Sequence, residues 1–179
     1  AGVRHFRRGR LVHRLLQVLP DLDPAVRADA ARRFLAAPAH GLAPDEVAPL
    51  AAEVEAVLTH PDFAPIFGPG SRAEVPLGAV IGSRVISGAV DRLLIAEDRV
   101  LVVDYKTDRP PPSDPLRVAR HYLRQMAAYR AVLRRIYPGR RVETALVWTD
   151  GPSLMHLPDD LLDRWAPDPD AGDPTERRG

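Results

Sequence analysis

Asp104 and Lys106 stand two residues apart at the end of a short, almost wholly apolar run, Arg99-Val-Leu-Val-Val-Asp. In an extended strand residues i and i+2 share a face, so this carboxylate and this ammonium project together where the chain leaves the core. Asp91 lies thirteen residues earlier, and Glu97-Asp98 between them is turn-forming. If 83–96 pairs with 99–105 about that turn, Asp91 comes to the level of Asp104. Two carboxylates beside one ammonium suit Mg²⁺, which takes oxygen ligands, keeps several waters and usually binds one or two carboxylates plus a phosphate. A metal there polarises a phosphoryl oxygen and acidifies a bound water. Lys106 would position that water or stabilise charge at phosphorus. The bland alternative is a set of ordinary salt bridges at a sheet edge.

Lys106 carries a second signal. Lysine and arginine together number 25, yet Lys106 is the single lysine, and asparagine is absent. Ala, Arg and Pro abound, as a coding bias toward G and C produces. Under such a bias a surviving lysine marks a task that the planar, always protonated guanidinium cannot perform. Chance survival is the alternative.

The elements that must hold these groups follow from periodicity. Leu11, Val12, Leu15, Leu16 and Leu19 recur at helical spacing until Pro20. Asp23-Pro24 opens a second helix to about Ala37, and Pro44-Asp45-Glu46 a third, striped by Val47, Leu50, Val54, Val57 and Leu58. The period then changes. Residues 73–81, 83–90 and 92–96 carry Val, Ile and Leu with glycine punctuation, and 99–104 reads as a central buried strand. Residues 107–115 hold four prolines and form a loop. Residues 116–137 form an amphipathic helix with Ala119, Tyr122, Met126, Tyr129, Leu133 and Ile136 on one side. Strands at 141–149 and 153–157 and a short helix at 159–166 close the order α-α-α-β-β-β-α-β-β. This is a mixed α/β chain. Three parts are expected: a helical segment over 1–72, a core over 73–166, and a flexible tail over 167–179 rich in Asp, Pro and Gly.

The stretch G-A-V-D-R-L (88–93), then V-V-D-Y-K-T (102–107), then Q-M-A-A-Y (125–129), resembles the PD-(D/E)xK nuclease superfamily in its RecB-like branch. Within that branch it looks most like the C-terminal nuclease domains of AddA-type helicase–nuclease subunits. Glu74-Val-Pro, Trp148-Thr149 and L-V-H-R-L-L (11–16) extend the likeness over roughly residues 9–158. The resemblance implies a small mixed sheet flanked by helices, the restriction-endonuclease-like core, behind an N-terminal helical segment. It makes Asp91 and Asp104 the metal carboxylates, Lys106 the catalytic lysine, and His13 and the Tyr105 carbonyl further ligands. Read alone, His13 in a Leu-rich helix is a satisfied, partly buried residue. The resemblance also puts Gln125 and Tyr129, an i, i+4 pair on one helix face, beside the site. Without it, Tyr129 reads as core and Gln125 as surface. Glu74 matches an acidic family position, with contact to metal or water left open, and Thr107 either bonds within the site or caps the loop. Mg²⁺ is the implied cofactor, with Mn²⁺ tolerated. The implied partners are a DNA single strand, helicase domains upstream in the same polypeptide, and an AddB-like subunit.

Composition bounds the rest. Without cysteine there is no disulfide, thiolate nucleophile or Cys-held iron–sulfur cluster, and the last favours the AddA side over AddB. No P-loop appears, so ATP use would belong to a missing upstream part. The chain begins at Ala1 without Met, which fits a piece of something larger. A net charge of +1 forecasts no tight local grip on DNA. Aromatics are few, and no stacking platform for a single strand is evident. Arg7, Arg8, Arg10 and Arg14 cluster beside His13, either against phosphates or as a solvated helix face. His5, His60 and His121 make no strong claim. No apolar run or secretory signal points to a membrane or export, so a cytoplasmic setting is expected. Two rivals stay open: a non-catalytic DNA-guiding or docking module of the same fold, and a stand-alone RecB-like nuclease.

Overall fold

The computed structural model describes residues 2–167, with side chains from residue 6 onward. Most of the expected tail lies outside the described residues, as does the side chain of His5. Three helices come first: α1 (Gly2–Val18), α2 (Pro24–Leu35) and α3 (Pro44–Leu58). Their starts are chemical. The Asp23 carboxylate accepts from the Ala25 N–H at 2.9 Å, and Glu46 reaches back to the Ala43 N–H at 2.8 Å. Each thereby satisfies a helix-end donor that has no partner within the helix. The buried stripes are Leu11, Val12, Leu15 and Leu16 on α1, and Leu50, Ala51, Val54 and Val57 on α3. Val47 and Leu58 are only half-buried.

Five strands follow: β1 (Ser71–Ile81), β2 (Arg84–Ile95), β3 (Arg99–Lys106), β4 (Arg141–Trp148) and β5 (Ser153–His156). They form one mixed sheet in the order β1-β2-β3-β4-β5. β1–β2 and β2–β3 are antiparallel hairpins. α4 (Arg120–Ile136) connects β3 to β4, and α5 (Asp159–Asp163) closes the described chain. β3 lies at the centre and is buried from Val100 onward, as its apolar run predicts.

Three expectations need correction. The strands predicted at 83–90 and 92–96 are one, β2, because Asp91-Arg92 interrupts the apolar pattern without interrupting the ladder. The long helix begins at Arg120 rather than 116, because Pro115–Arg117 forms a separate 3-10 turn and Val118 is extended. Ala119 is therefore an N-cap and Ile136 is exposed. The buried face of α4 runs instead through Leu123, Met126, Ala127, Tyr129, Arg130, Val132 and Leu133. The buried guanidinium of Arg130 is held by Asp159 at 2.7 Å and Asp163 at 2.5 Å, so α5 docks on α4 by ion pairs.

The chain divides into two compact units. A helical unit holds the residues up to Pro69, with Tyr105–Pro111 and Val147–Leu154. A sheet unit holds Gly70–Asp104, Pro112–Leu146 and the residues from Met155 on. Among the described residues no helix is long and apolar enough to cross a membrane.

Candidate active site

In the sheet unit, β2 and β3 pair from Ile95↔Val100 to Arg92↔Val103. Continuing that register by one residue sets Asp91 across from Asp104, as the length of the turn predicts. Asp104 is only 4% exposed, while Asp91 is half-buried. On the other side of β2 the ladder pairs Ala73↔Arg92 and Val75↔Val90, which sets Glu74 across from Asp91. Glu74 alone among the described non-glycine residues has a left-handed backbone, φ 49°. That conformation costs an L-residue about 1–2 kcal/mol. Three carboxylates on three neighbouring strands thus share one level of the sheet.

Tyr129 reports the field of this row. Its hydroxyl donates to the Ala89 carbonyl at 3.1 Å and accepts from Gln125 Nε2 at 3.2 Å. Gly88 permits the approach, since a Cβ there would lie 2.9 Å from the Tyr129 oxygen. Burial raises the Tyr129 pKa above its ordinary 10.0; the Gln125 hydrogen bond lowers it, and the charges of Asp104, Asp91 and Glu74 push it further up. A raised folded-state pKa favours the neutral phenol. Tyr129 therefore contributes stability that is full below the unfolded-state pKa near 10 and is lost as pH climbs through the folded value. Tyr129→Phe is expected to cost about 1 kcal/mol at neutral pH through the lost hydrogen bond. It should also flatten the alkaline fall in stability above pH ~10. Urea unfolding of both proteins on either side of that pH checks this; an equal alkaline fall in the variant would refute it.

In the helical unit, the end of β3 is pinned from several directions. Tyr105 is buried, its ring edge-on to His13 at 5.7 Å and stacked on Phe67 at 6.4 Å. The Lys106 carbonyl accepts from the Thr149 N–H at 3.0 Å. The Thr107 carbonyl accepts from Arg8 at 3.4 Å, and Gly9 lets α1 come close, since a Cβ there would sit 3.0 Å from Thr107 Oγ1. Behind these bonds lies Glu53 on α3, its side chain only 7% exposed. Its carboxylate takes Arg8, Arg109 at 2.5 Å and the Thr149 hydroxyl at 2.5 Å. Arg8 therefore faces a carboxylate rather than forming part of a free basic face.

The structure thus gathers Asp91, Asp104, Gln125 and Tyr129 in the sheet unit, with Glu74. It gathers His13, Tyr105 and Lys106 in the helical unit, with Thr107. His121 is exposed against Tyr122, and His60 stacks on Phe63 in the turn after α3. The Glu53 hub was missed by sequence reasoning, because nothing separates it from any solvated helix glutamate.

Among the described residues no group of three or more His, Asp or Glu side chains stands close enough to hold a metal ion. The donor set still fits Mg²⁺, which needs no closed protein cage and completes its octahedron with waters and a phosphate. Asp91 and Asp104 are the residues that would hold it.

A family model described as the PD-(D/E)XK nuclease superfamily matches residues 1–161. The chain is 40% identical over 70 residues to the AddA-type ATP-dependent helicase/nuclease subunit of Streptococcus equi subsp. zooepidemicus, covering 39% of this chain and 6% of that protein. It is 40% identical over 63 residues to the corresponding protein of Streptococcus uberis, covering 35% and 5%. The chain therefore spans only a small fraction of the length of these curated relatives. Among solved structures, SSO0001 aligns over 92% of this chain and 84% of its own at 14% identity, with a TM-score of 0.39, too remote a likeness to carry an argument. With the family match running from the first helix to α5, across every residue of the candidate site, the chain belongs to the PD-(D/E)XK nuclease superfamily.

Proposed function

We propose that this chain is the nuclease module of an AddA-type ATP-dependent helicase–nuclease, hydrolysing DNA phosphodiester bonds with Mg²⁺ in double-strand break repair and recombination. The observation that carries the reading is the alignment of Asp91 with Asp104 across the β2–β3 hairpin, with Lys106 two residues further along β3. Asp91 and Asp104 hold the Mg²⁺, and the family pattern adds His13 and the Tyr105 carbonyl as ligands. When bound, the metal supplies Lewis-acid polarisation of the phosphate and an acidified water. Lys106 holds its ammonium against the negative charge that builds at phosphorus. Gln125 and Tyr129, bonded to each other and to β2, are the polar groups that orient the scissile strand. His13 ligates only through a neutral ring nitrogen, so activity falls in acid. Mn²⁺ substitutes for Mg²⁺ in this reading.

The whole-protein setting is part of the proposal. A helicase motor in the same polypeptide delivers a single strand, an AddB-like protein is the partner, and cleavage is exonucleolytic and cytoplasmic. The partial identity to the two streptococcal helicase/nuclease proteins supports this.

The test is cleavage of labelled single-stranded DNA by the purified chain with Mg²⁺ or EDTA, beside Asp104→Ala. Cleavage that requires both the metal and Asp104 is expected. Equal cleavage by Asp104→Ala would overturn the site. Calorimetric Mg²⁺ binding without cleavage by the wild-type chain would favour the docking-module reading.

A further inference from the structure

A second feature of the sheet unit is basic and aromatic. A groove of about 810 Å³ lies between the tip of β2, α4 and the turn after α5. Its walls carry Arg84, Arg124, Arg164 and Trp165, with Ile86 and Ala128 at its sides. The Arg124 guanidinium lies over the Trp165 ring, 5.2 Å from its centroid. Other arginines of this unit are matched by acids: Arg130 and Arg134 by Asp159, and Arg99 and Arg141 by Glu143. No carboxylate among the described residues pairs with Arg84, Arg124 or Arg164. Three exposed cations without internal counter-ions, around an indole already held by one of them, form an anion groove with a stacking surface.

We infer that this groove binds single-stranded DNA and forms the path by which the strand enters or leaves the site. The inference rests on the nuclease reading and locates its substrate. Two placements support a strand over a small anion. On α4, Arg124 and Ala128 immediately precede Gln125 and Tyr129, so the groove and the Tyr129 contact occupy neighbouring stripes of one helix. On β2, Ile86 lies five residues before Asp91, about 17 Å at the usual strand rise. That span is one that a polyanion bridges and a lone phosphate does not. Cations tracking the backbone with an aromatic ring taking a base is the usual arrangement for sequence-tolerant single-strand binding. It is also the stacking surface that the low aromatic content argued against.

The test is binding of fluorescein-labelled oligothymidylate to the purified chain in EDTA, followed by anisotropy across a salt series. The combined variant Arg84→Gln, Arg124→Gln, Arg164→Gln is compared with wild type. Three phosphate contacts on a single strand predict that the slope of log K against log salt becomes shallower by about 2. Trp165→Ala should weaken binding about tenfold through lost stacking. Trp148 is only 1% exposed, so quenching of wild-type tryptophan fluorescence by DNA reports Trp165. An unchanged salt slope in the triple variant overturns the inference, as does a wild-type chain that binds no oligothymidylate. All readings are taken without metal, so the two ideas fail separately. A chain that binds through the groove but never cuts sinks the nuclease reading alone. A chain that cuts but binds DNA equally well without the three arginines sinks the groove alone.

Discussion

Lys106→Ala and Lys106→Met are each expected to lower Mg²⁺-dependent DNA cleavage by at least about a hundredfold, the usual consequence of removing one pre-aimed stabiliser of transition-state charge. Lys106 is 7% exposed, and the backbone on either side of it is tied to Thr149 and Arg8. The ammonium therefore has a defined position from the start and loses little freedom when substrate binds. The methionine variant keeps the apolar stem and should unfold within about 1 kcal/mol of wild type, which separates lost chemistry from lost fold. Lys106→Arg is the sharper variant. In a chain whose other basic residues are all arginine, a lysine serving only as a salt-bridge cation would tolerate that change. If the compact ammonium is needed, Lys106→Arg should also lose more than tenfold, because a planar guanidinium is larger and directs its donors differently. Wild-type cleavage by Lys106→Arg, with unchanged unfolding, would reduce Lys106 to a structural ion pair.

The part of this site that was legible in the sequence is the part set by short-range spacing. The turn at Glu97-Asp98 fixes which residue of β2 meets which of β3, so the Asp91–Asp104 alignment follows from counting along the chain. Gln125 and Tyr129 share a helix face for the same reason, and their hydrogen bond to each other confirms the pairing. Patterns that depend on distant packing were not legible. The unbroken β2 was hidden because Asp91-Arg92 looks like a break. Its ladder continues because β1 pairs with it along that whole stretch. The exposed Ala119 and Ile136 fooled the helical wheel, because the true face of α4 is set by Arg130 turning inward to Asp159 and Asp163. The left-handed Glu74 has no sequence signature, since any L-residue resists that conformation. Glu53 is the extreme case: its partners lie 45, 56 and 96 residues away.

Glu53→Ala is accordingly expected to be the most destabilising single change outside the apolar core. The Glu53 side chain is only 7% exposed, so two cations and a hydroxyl converge on a carboxylate that water barely reaches. Removing one partner from a buried ion pair typically costs 3–5 kcal/mol, because the remaining charge is left uncompensated. Here Arg8 and Arg109 keep 22% and 49% exposure, so both can partly rehydrate, and the expected cost falls to about 2–3 kcal/mol. For a chain of this size that corresponds to a melting point roughly 5–10 °C lower. Glu53→Gln keeps one acceptor for Thr149 and one arginine and should lose about half as much. Arg109→Ala should lose little, since its exposed guanidinium also reaches Asp150 at 3.5 Å and surface pairs contribute about 0–1 kcal/mol. That order, alanine at 53 far worse than glutamine, and both worse than alanine at 109, distinguishes a hub from a set of independent pairs. It is read by urea unfolding of the three variants. Equal losses at 53 and 109 would mean that the carboxylate organises nothing. Because Arg8 also holds the Thr107 carbonyl, the hub predicts a further effect. In Glu53→Gln, which stays folded, cleavage should slow mainly through kcat with KM little changed, because the residue that shifts is Lys106 rather than a group that grips the strand.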